Sequence, residues 1–110
     1  MQKITLFSAF FLAAALLVSC EKTPGACLLL SPEKTVYQVG EKIEVDTRCA
    51  ASFSSIQYDF GTGVSEIRKT STGELVSTSY NFTGDYIIRV TFFSKSRKKS
   101  AFEERRIVVR

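Results

Sequence analysis

The chain is expected to fold as an all-β, antiparallel sandwich of about seven strands, preceded by a segment that does not join it. Three observations predict this. Beyond residue 26, apolar residues recur at every second position, and no stretch sustains a helical period. The alternating runs are short and are separated at regular intervals by turns rich in Gly, Ser, Thr and Lys. Residues 4–18, in contrast, form an uncharged, apolar-dominated run behind a single lysine, Lys3.

The strands follow in order. Cys27–Leu30 is a short apolar strand stopped by Ser31-Pro32, and Thr35–Val39 is a second, closed by Gly40. In Lys42–Thr47, Ile43, Val45 and Thr47 share one face and charges occupy the other, the pattern of a half-buried strand. Arg48–Ser55 is a small, polar loop. The central strand is Ile56-Gln-Tyr-Asp-Phe60, with Ile56, Tyr58 and Phe60 inward, running into the turn Gly61-Thr62-Gly63. Val64–Arg68 suits an edge strand, and Glu74–Phe82 a further strand carrying Leu75, Tyr80 and Phe82. After the turn at Gly84-Asp85, Tyr86–Phe93 is the strongest strand. Tyr86, Ile88, Val90 and Phe92 are assigned inward, because the opposite face holds Arg89. A basic turn with Lys95, Arg97, Lys98 and Lys99 leads to the last strand, Ala101–Arg110, with Ile107 and Val109 inward. This assignment places Phe53, Phe93 and Phe102 outside the core.

The N-terminal run is short for a membrane span, which takes ~20 apolar residues. A cationic start, an apolar middle and a small residue at the end fit a secretory signal peptide, and a retained anchor is the alternative. Leu17-Val18-Ser19-Cys20 resembles the lipobox of bacterial lipoproteins. The resemblance implies cleavage before Cys20 and lipid attachment there. The expected organisation is a signal peptide over 1–19, a lipidated tether over 20–26 and the folded domain over 27–110. The expected location is the bacterial cell envelope, lipid-anchored, with the outer membrane as the site.

Three cysteines are present. With Cys20 lipidated, Cys27 and Cys49 remain. An oxidising compartment favours a bridge between them, worth about 3 kcal/mol by loop closure. Two buried thiols are the alternative.

Three segments together resemble the PKD domain, an immunoglobulin-like β-sandwich. They are Tyr37-Gln-Val-Gly-Glu-Lys-Ile43, Tyr58-Asp-Phe-Gly-Thr-Gly63 in place of the family's Trp-Asp-Phe-Gly-Asp-Gly, and Tyr80 followed by Gly84-Asp85-Tyr86. The resemblance spans residues 27–110. It implies structural roles for Tyr58, Asp59, Phe60, Gly61, Gly63, Gly84 and Tyr86, and a spacer or interaction role for the domain. Thr62, where the family has a second Asp, weakens any cation site at that turn.

The composition narrows the chemistry. Histidine is absent, which removes the commonest general base and metal ligand. No catalytic residue, metal site or cofactor is therefore expected. Asp59 reads as a carboxylate holding a turn, in preference to one half of an acid/base pair with Asp46 or Glu66. The formal charge of +4 does not by itself indicate nucleic acid, and none is expected as a partner. The cluster Lys95, Arg97, Lys98 and Lys99 suits either a solvated hairpin or an anionic surface. The expected function is a non-enzymatic envelope lipoprotein that binds a protein or glycan. A carbohydrate-binding accessory role is the alternative, which aromatic rings exposed on one sheet face would favour.

Overall fold

A computed structural model of the protein describes residues 21–110; the expected signal peptide and the lipidation site Cys20 lie outside the described residues. Eight strands are present: β1 (Leu29–Ser31), β2 (Val36–Tyr37), β3 (Ile43–Asp46), β4 (Ser55–Asp59), β5 (Ser65–Arg68), β6 (Leu75–Thr78), β7 (Gly84–Phe93) and β8 (Ser100–Val109). They form two sheets, one ordered β1-β3-β6 and the other β2-β8-β7-β4-β5. All pairings are antiparallel except the short β2–β8 pair. The β-sandwich expected from the alternating runs is the architecture observed.

The core lies where alternation places it. From the larger sheet come Ile56 and Tyr58 of β4, Ile88, Val90 and Phe92 of β7, and Ile107 and Val109 of β8. The smaller sheet contributes Leu30, Ile43 and Val45, and Leu28 and Tyr37 close one side. Burial of each large aliphatic side chain contributes about 1.5–3 kcal/mol, so β4 and β7 carry much of the stability. β4, expected as the central strand, is an interior strand paired with β7 and β5, but the middle of the five is β7.

Three sequence assignments are corrected. Phe53 is buried at 5% exposure and meets Phe92 edge-on, with ring centroids 5.2 Å apart. The small, polar loop before β4 folds this ring back under the sandwich, which alternation cannot register. On β6 the register with β3 sets Val76 opposite Val45, so Val76 faces inward and Leu75 is left exposed. The strand expected over Glu74–Phe82 ends at Thr78, so Phe82 lies beyond it and is 77% exposed, whereas Tyr80 is buried.

Cys27 and Cys49 form a disulfide with Cα atoms 5.5 Å apart. The bridge ties the approach to β1 to the loop after β3. The expected tether also touches the domain: Gly25 and Ala51 exchange backbone hydrogen bonds at 2.8 and 3.0 Å.

A second close approach has no sequence signature. At Gly73 an added Cβ would lie 2.0 Å from the Thr47 carbonyl oxygen and 2.4 Å from Arg48 Cα. These are backbone atoms, so no rotamer change relieves the clash. Gly73→Ala should therefore destabilise the fold by about 2–3 kcal/mol, in the manner of an overpacked core. The urea midpoint measures this, and a midpoint equal to the parent's would contradict the close approach.

Candidate binding face on the five-stranded sheet

The residues singled out from sequence at the glycine turn fix the end of the sandwich where β4 passes to β5. Asp59 Oδ1 accepts the Gly61 N–H at 2.9 Å. Gly61 has φ of 80°, and a Cβ there would sit 2.9 Å from the Ile87 carbonyl oxygen. Only glycine satisfies both conditions. Phe60 packs against Tyr58 with centroids 6.0 Å apart, and its carbonyl accepts the Tyr80 hydroxyl at 2.7 Å. The Tyr86 hydroxyl donates to the Phe82 carbonyl at 2.9 Å, and the Tyr80 and Tyr86 rings lie 4.2 Å apart. Gly63 and Gly84, with φ of 87° and 157°, border the same end. These side chains and turns hold the chain's shape, and they leave Asp59 engaged with a backbone amide.

The conceivable carboxylate pairs are not assembled. Asp46 belongs to the smaller sheet and is gripped by Arg48 at 3.0 Å, which holds its carboxyl below the usual range. Glu66 pairs with Arg68 at 3.1 Å. Among the described residues, no three of Cys, Asp and Glu gather in a group able to hold a metal ion.

Beneath the turn, Tyr58 joins the two sheets. Its hydroxyl lies 3.2 Å from Thr47 Oγ1 and donates to Glu74 Oε1 at 3.1 Å. The Glu74 N–H donates to Thr47 Oγ1 at 3.0 Å, and Arg68 reaches the Glu74 carboxylate at 3.3 Å. Burial, above all, pushes the Tyr58 hydroxyl up to about 12.

The outer face of the larger sheet is what this frame presents. Strand register aligns Ile67, Gln57, Thr91 and Phe102 in one row across β5, β4, β7 and β8. The adjacent row is Ser65, Asp59, Arg89 and Glu104. Arg89 donates to Glu104 at 2.9 Å while its guanidinium lies 4.7 Å from the centre of the Phe102 ring. Held by both, Arg89 is a fixed donor beside an aromatic surface. Phe102 is 54% exposed and Ile67 49% exposed. Phe93 lies on the same face, half-buried beneath Arg97 at 5.4 Å. Of the aromatics assigned outside the core, Phe93 and Phe102 thus share a face and Phe53 does not. The outer face of the smaller sheet has no aromatic: its central row is Leu29, Asp46 and Leu75.

The basic residues lie at the opposite end from the glycine turn. Lys95, Arg97, Lys98 and Lys99 occupy the hairpin between β7 and β8. Ser94 N–H donates to the Lys99 carbonyl at 2.9 Å, which closes that hairpin. Glu21 accepts the Ser96 N–H at 3.0 Å, and this bonding to Ser96 lowers the Glu21 carboxyl below its ordinary range.

No protein-family model and no curated protein matches this chain. A solved structure of carbohydrate-binding modules from the β-sandwich superfamily, described as promiscuous in specificity, is similar to it in fold. The TM-score is 0.67 at 17% identity, over 81% of this chain and 35% of that one. The chain therefore spans about a third of the length of that structure, and the likeness shows the β-sandwich fold.

Tyr58→Phe should cost about 1–3 kcal/mol, since it leaves buried polar partners with one bond fewer. The Tyr58 phenol ionises near 10 when unfolded and near 12 when folded. Between those values the unfolded chain holds fewer protons, so stability is full below pH 10 and falls as pH rises through the window. Chemical denaturation across pH 8–12 should show a shallower decline in Tyr58→Phe than in the parent; equal slopes would contradict the buried phenol.

Proposed function

We propose that this chain is a non-enzymatic, lipid-anchored module of the bacterial cell envelope that binds a glycan on the outer face of its five-stranded sheet. One observation carries the reading. The row Ile67–Gln57–Thr91–Phe102 combines an exposed aromatic surface with amide and hydroxyl groups, and the fixed Arg89–Glu104 pair borders it. Sugar rings present apolar C–H faces and a hydroxyl rim, so an aromatic surface edged by polar groups complements them. The fold likeness to carbohydrate-binding modules supports the same choice.

The remaining parts fit around it. The lipobox resemblance at Leu17–Cys20 supports anchoring through Cys20, and the Cys27–Cys49 disulfide supports an oxidising, extracytoplasmic compartment. The three PKD-like segments support an interaction role. A protein partner is the second reading, favoured by Val64 at 71% and Phe82 at 77% exposure on the loops at the glycine-turn end.

Affinity electrophoresis in gels containing soluble β-glucan, xylan, mannan or peptidoglycan fragments tests the proposal. At least one should retard the protein, and Phe102→Ala should weaken that binding about tenfold, as for a central aromatic contact. Phe102 is outside the core, so the variant should keep the parent's urea midpoint. No retardation by any polymer, or equal retardation of Phe102→Ala, would overturn the glycan reading.

A further inference from the structure

The base of the same sheet carries a second feature that glycan binding does not use. A groove of about 210 Å³ is lined by Ser54, Ser55, Lys69, Ser94, Lys95 and Arg97. Its cations come from two separate turns, Lys69 after β5 and Lys95 and Arg97 after β7. No carboxylate lines it. Among the described residues none of Lys69, Lys95, Arg97, Lys98 and Lys99 takes part in an ion pair. The one carboxylate held at this hairpin is Glu21, bonded to Ser96; it offsets the cations in part, and a further anion relieves the repulsion that remains.

The floor of the groove is built from hydroxyls. Ser94 is 3% exposed and Ser55 6% exposed. Ser94 Oγ accepts the Lys99 N–H at 3.2 Å, and its own hydroxyl is directed at the Glu21 carboxylate, whose carboxyl it helps to lower. Ser55 lines the same groove. Serine side chains beside three cations suit a phosphate group, which accepts on several oxygens at once. The volume admits a phosphate with some of its water, since each water takes about 30 Å³.

The position of the N-terminal segment identifies the source of the phosphate. Glu21 is bonded to Ser96, in the middle of the basic hairpin. Glu21, the first described residue, is therefore fixed at the end of the sandwich opposite the glycine turn. A lipid anchor on the residue before it would draw that end of the domain towards the bilayer. We propose that the Lys69–Lys95–Arg97 groove binds the phosphate of an anionic lipid headgroup, so that the domain stands on the membrane by its β7–β8 hairpin. This rests on lipidation of Cys20 and not on the identity of any glycan. The anchor holds the domain at the surface, and the groove sets which end faces the bilayer. The outer sheet face is then presented sideways and the glycine-turn end outward.

Hydrogen exchange of the mature protein, purified with its anchor, tests this in two kinds of vesicle. One is phosphatidylcholine alone, the other phosphatidylcholine mixed with phosphatidylglycerol. Amides over 94–99 should exchange at least about fivefold more slowly in the anionic vesicles, given the attraction expected per basic residue near such a surface. The variant carrying Lys69→Gln, Lys95→Gln and Arg97→Gln should exchange equally fast in both. All three residues are outside the core, so the variant's urea midpoint should match the parent's. Equal exchange of the parent in the two vesicles, or slowing that persists in the variant, would overturn the proposal. Inorganic phosphate added to the phosphatidylcholine vesicles separates the sources. Slowing by phosphate alone, with no further effect of phosphatidylglycerol, would mark a free-phosphate site and overturn the lipid assignment. Intact mass of the same preparation reads the anchor itself. Should Cys20 carry no lipid, the unanchored chain mixed with the same vesicles must still show the lipid-dependent slowing for the groove to stand.

Discussion

The two sheets are held in register by one buried hydroxyl. Tyr58 stands on β4, an interior strand of the larger sheet, and its hydroxyl meets Thr47 and Glu74, which flank β3 and β6 of the smaller sheet. Apolar packing alone is tolerant of sliding, because methyl groups have no fixed partners. A buried phenol is not tolerant, since a displaced hydroxyl would be left without a partner. The bond in turn demands that the Gly73 backbone pass against Thr47, which a side chain there would prevent. The disulfide and the Gly25–Ala51 bridge then pin the loop that follows Thr47.

With that register set, the surface follows from the period of the strands. Each residue buried on β7 fixes the orientation of its neighbours, so burying Ile88, Val90 and Phe92 obliges Arg89, Thr91 and Phe93 to face outward. Pairing with β4 and β8 then brings Gln57 and Phe102 alongside them. The proposed binding face is thus a consequence of the core, and its rigidity is inherited from it. Side chains on strands are positioned more closely than side chains on loops, which suits a surface that recognises the shape of a polymer. The hairpin cations are placed by the same sheet, at its other end, beside the chain's N-terminal segment.

Much of this was legible in the sequence, for stated reasons. The inward sets on β3, β4 and β7 were readable because each of these strands keeps its charges on one face, which breaks the symmetry between its two sides; on β8, charged on both faces over 103–106, only the apolar end with Ile107 and Val109 was readable. The turn at Asp59–Gly63 was readable because glycine and aspartate there have few alternatives. Where those signals lapse, reading from sequence fails. β6 is mostly Ser and Thr around Leu75 and Val76, so nothing local decides which of the two is inward; the pairing with Val45 does. Phe53 sits in a loop, where period two has no meaning. Gly73 and Glu74 matter only through Thr47 and Tyr58, distant in sequence. The row from Ile67 to Phe102 joins four strands, and its residues become neighbours only once register is known.

The account stands most directly on which face of the sandwich does the binding. Amide chemical-shift mapping of the isotopically labelled mature protein, titrated with a polysaccharide that retards it in gels, would decide this. Shifts concentrated on Gln57, Ile67, Arg89, Thr91 and Phe102 are the predicted result. Shifts concentrated on Leu29, Glu44 and Leu75 of the smaller sheet, or on the Phe82 loop, would contradict it.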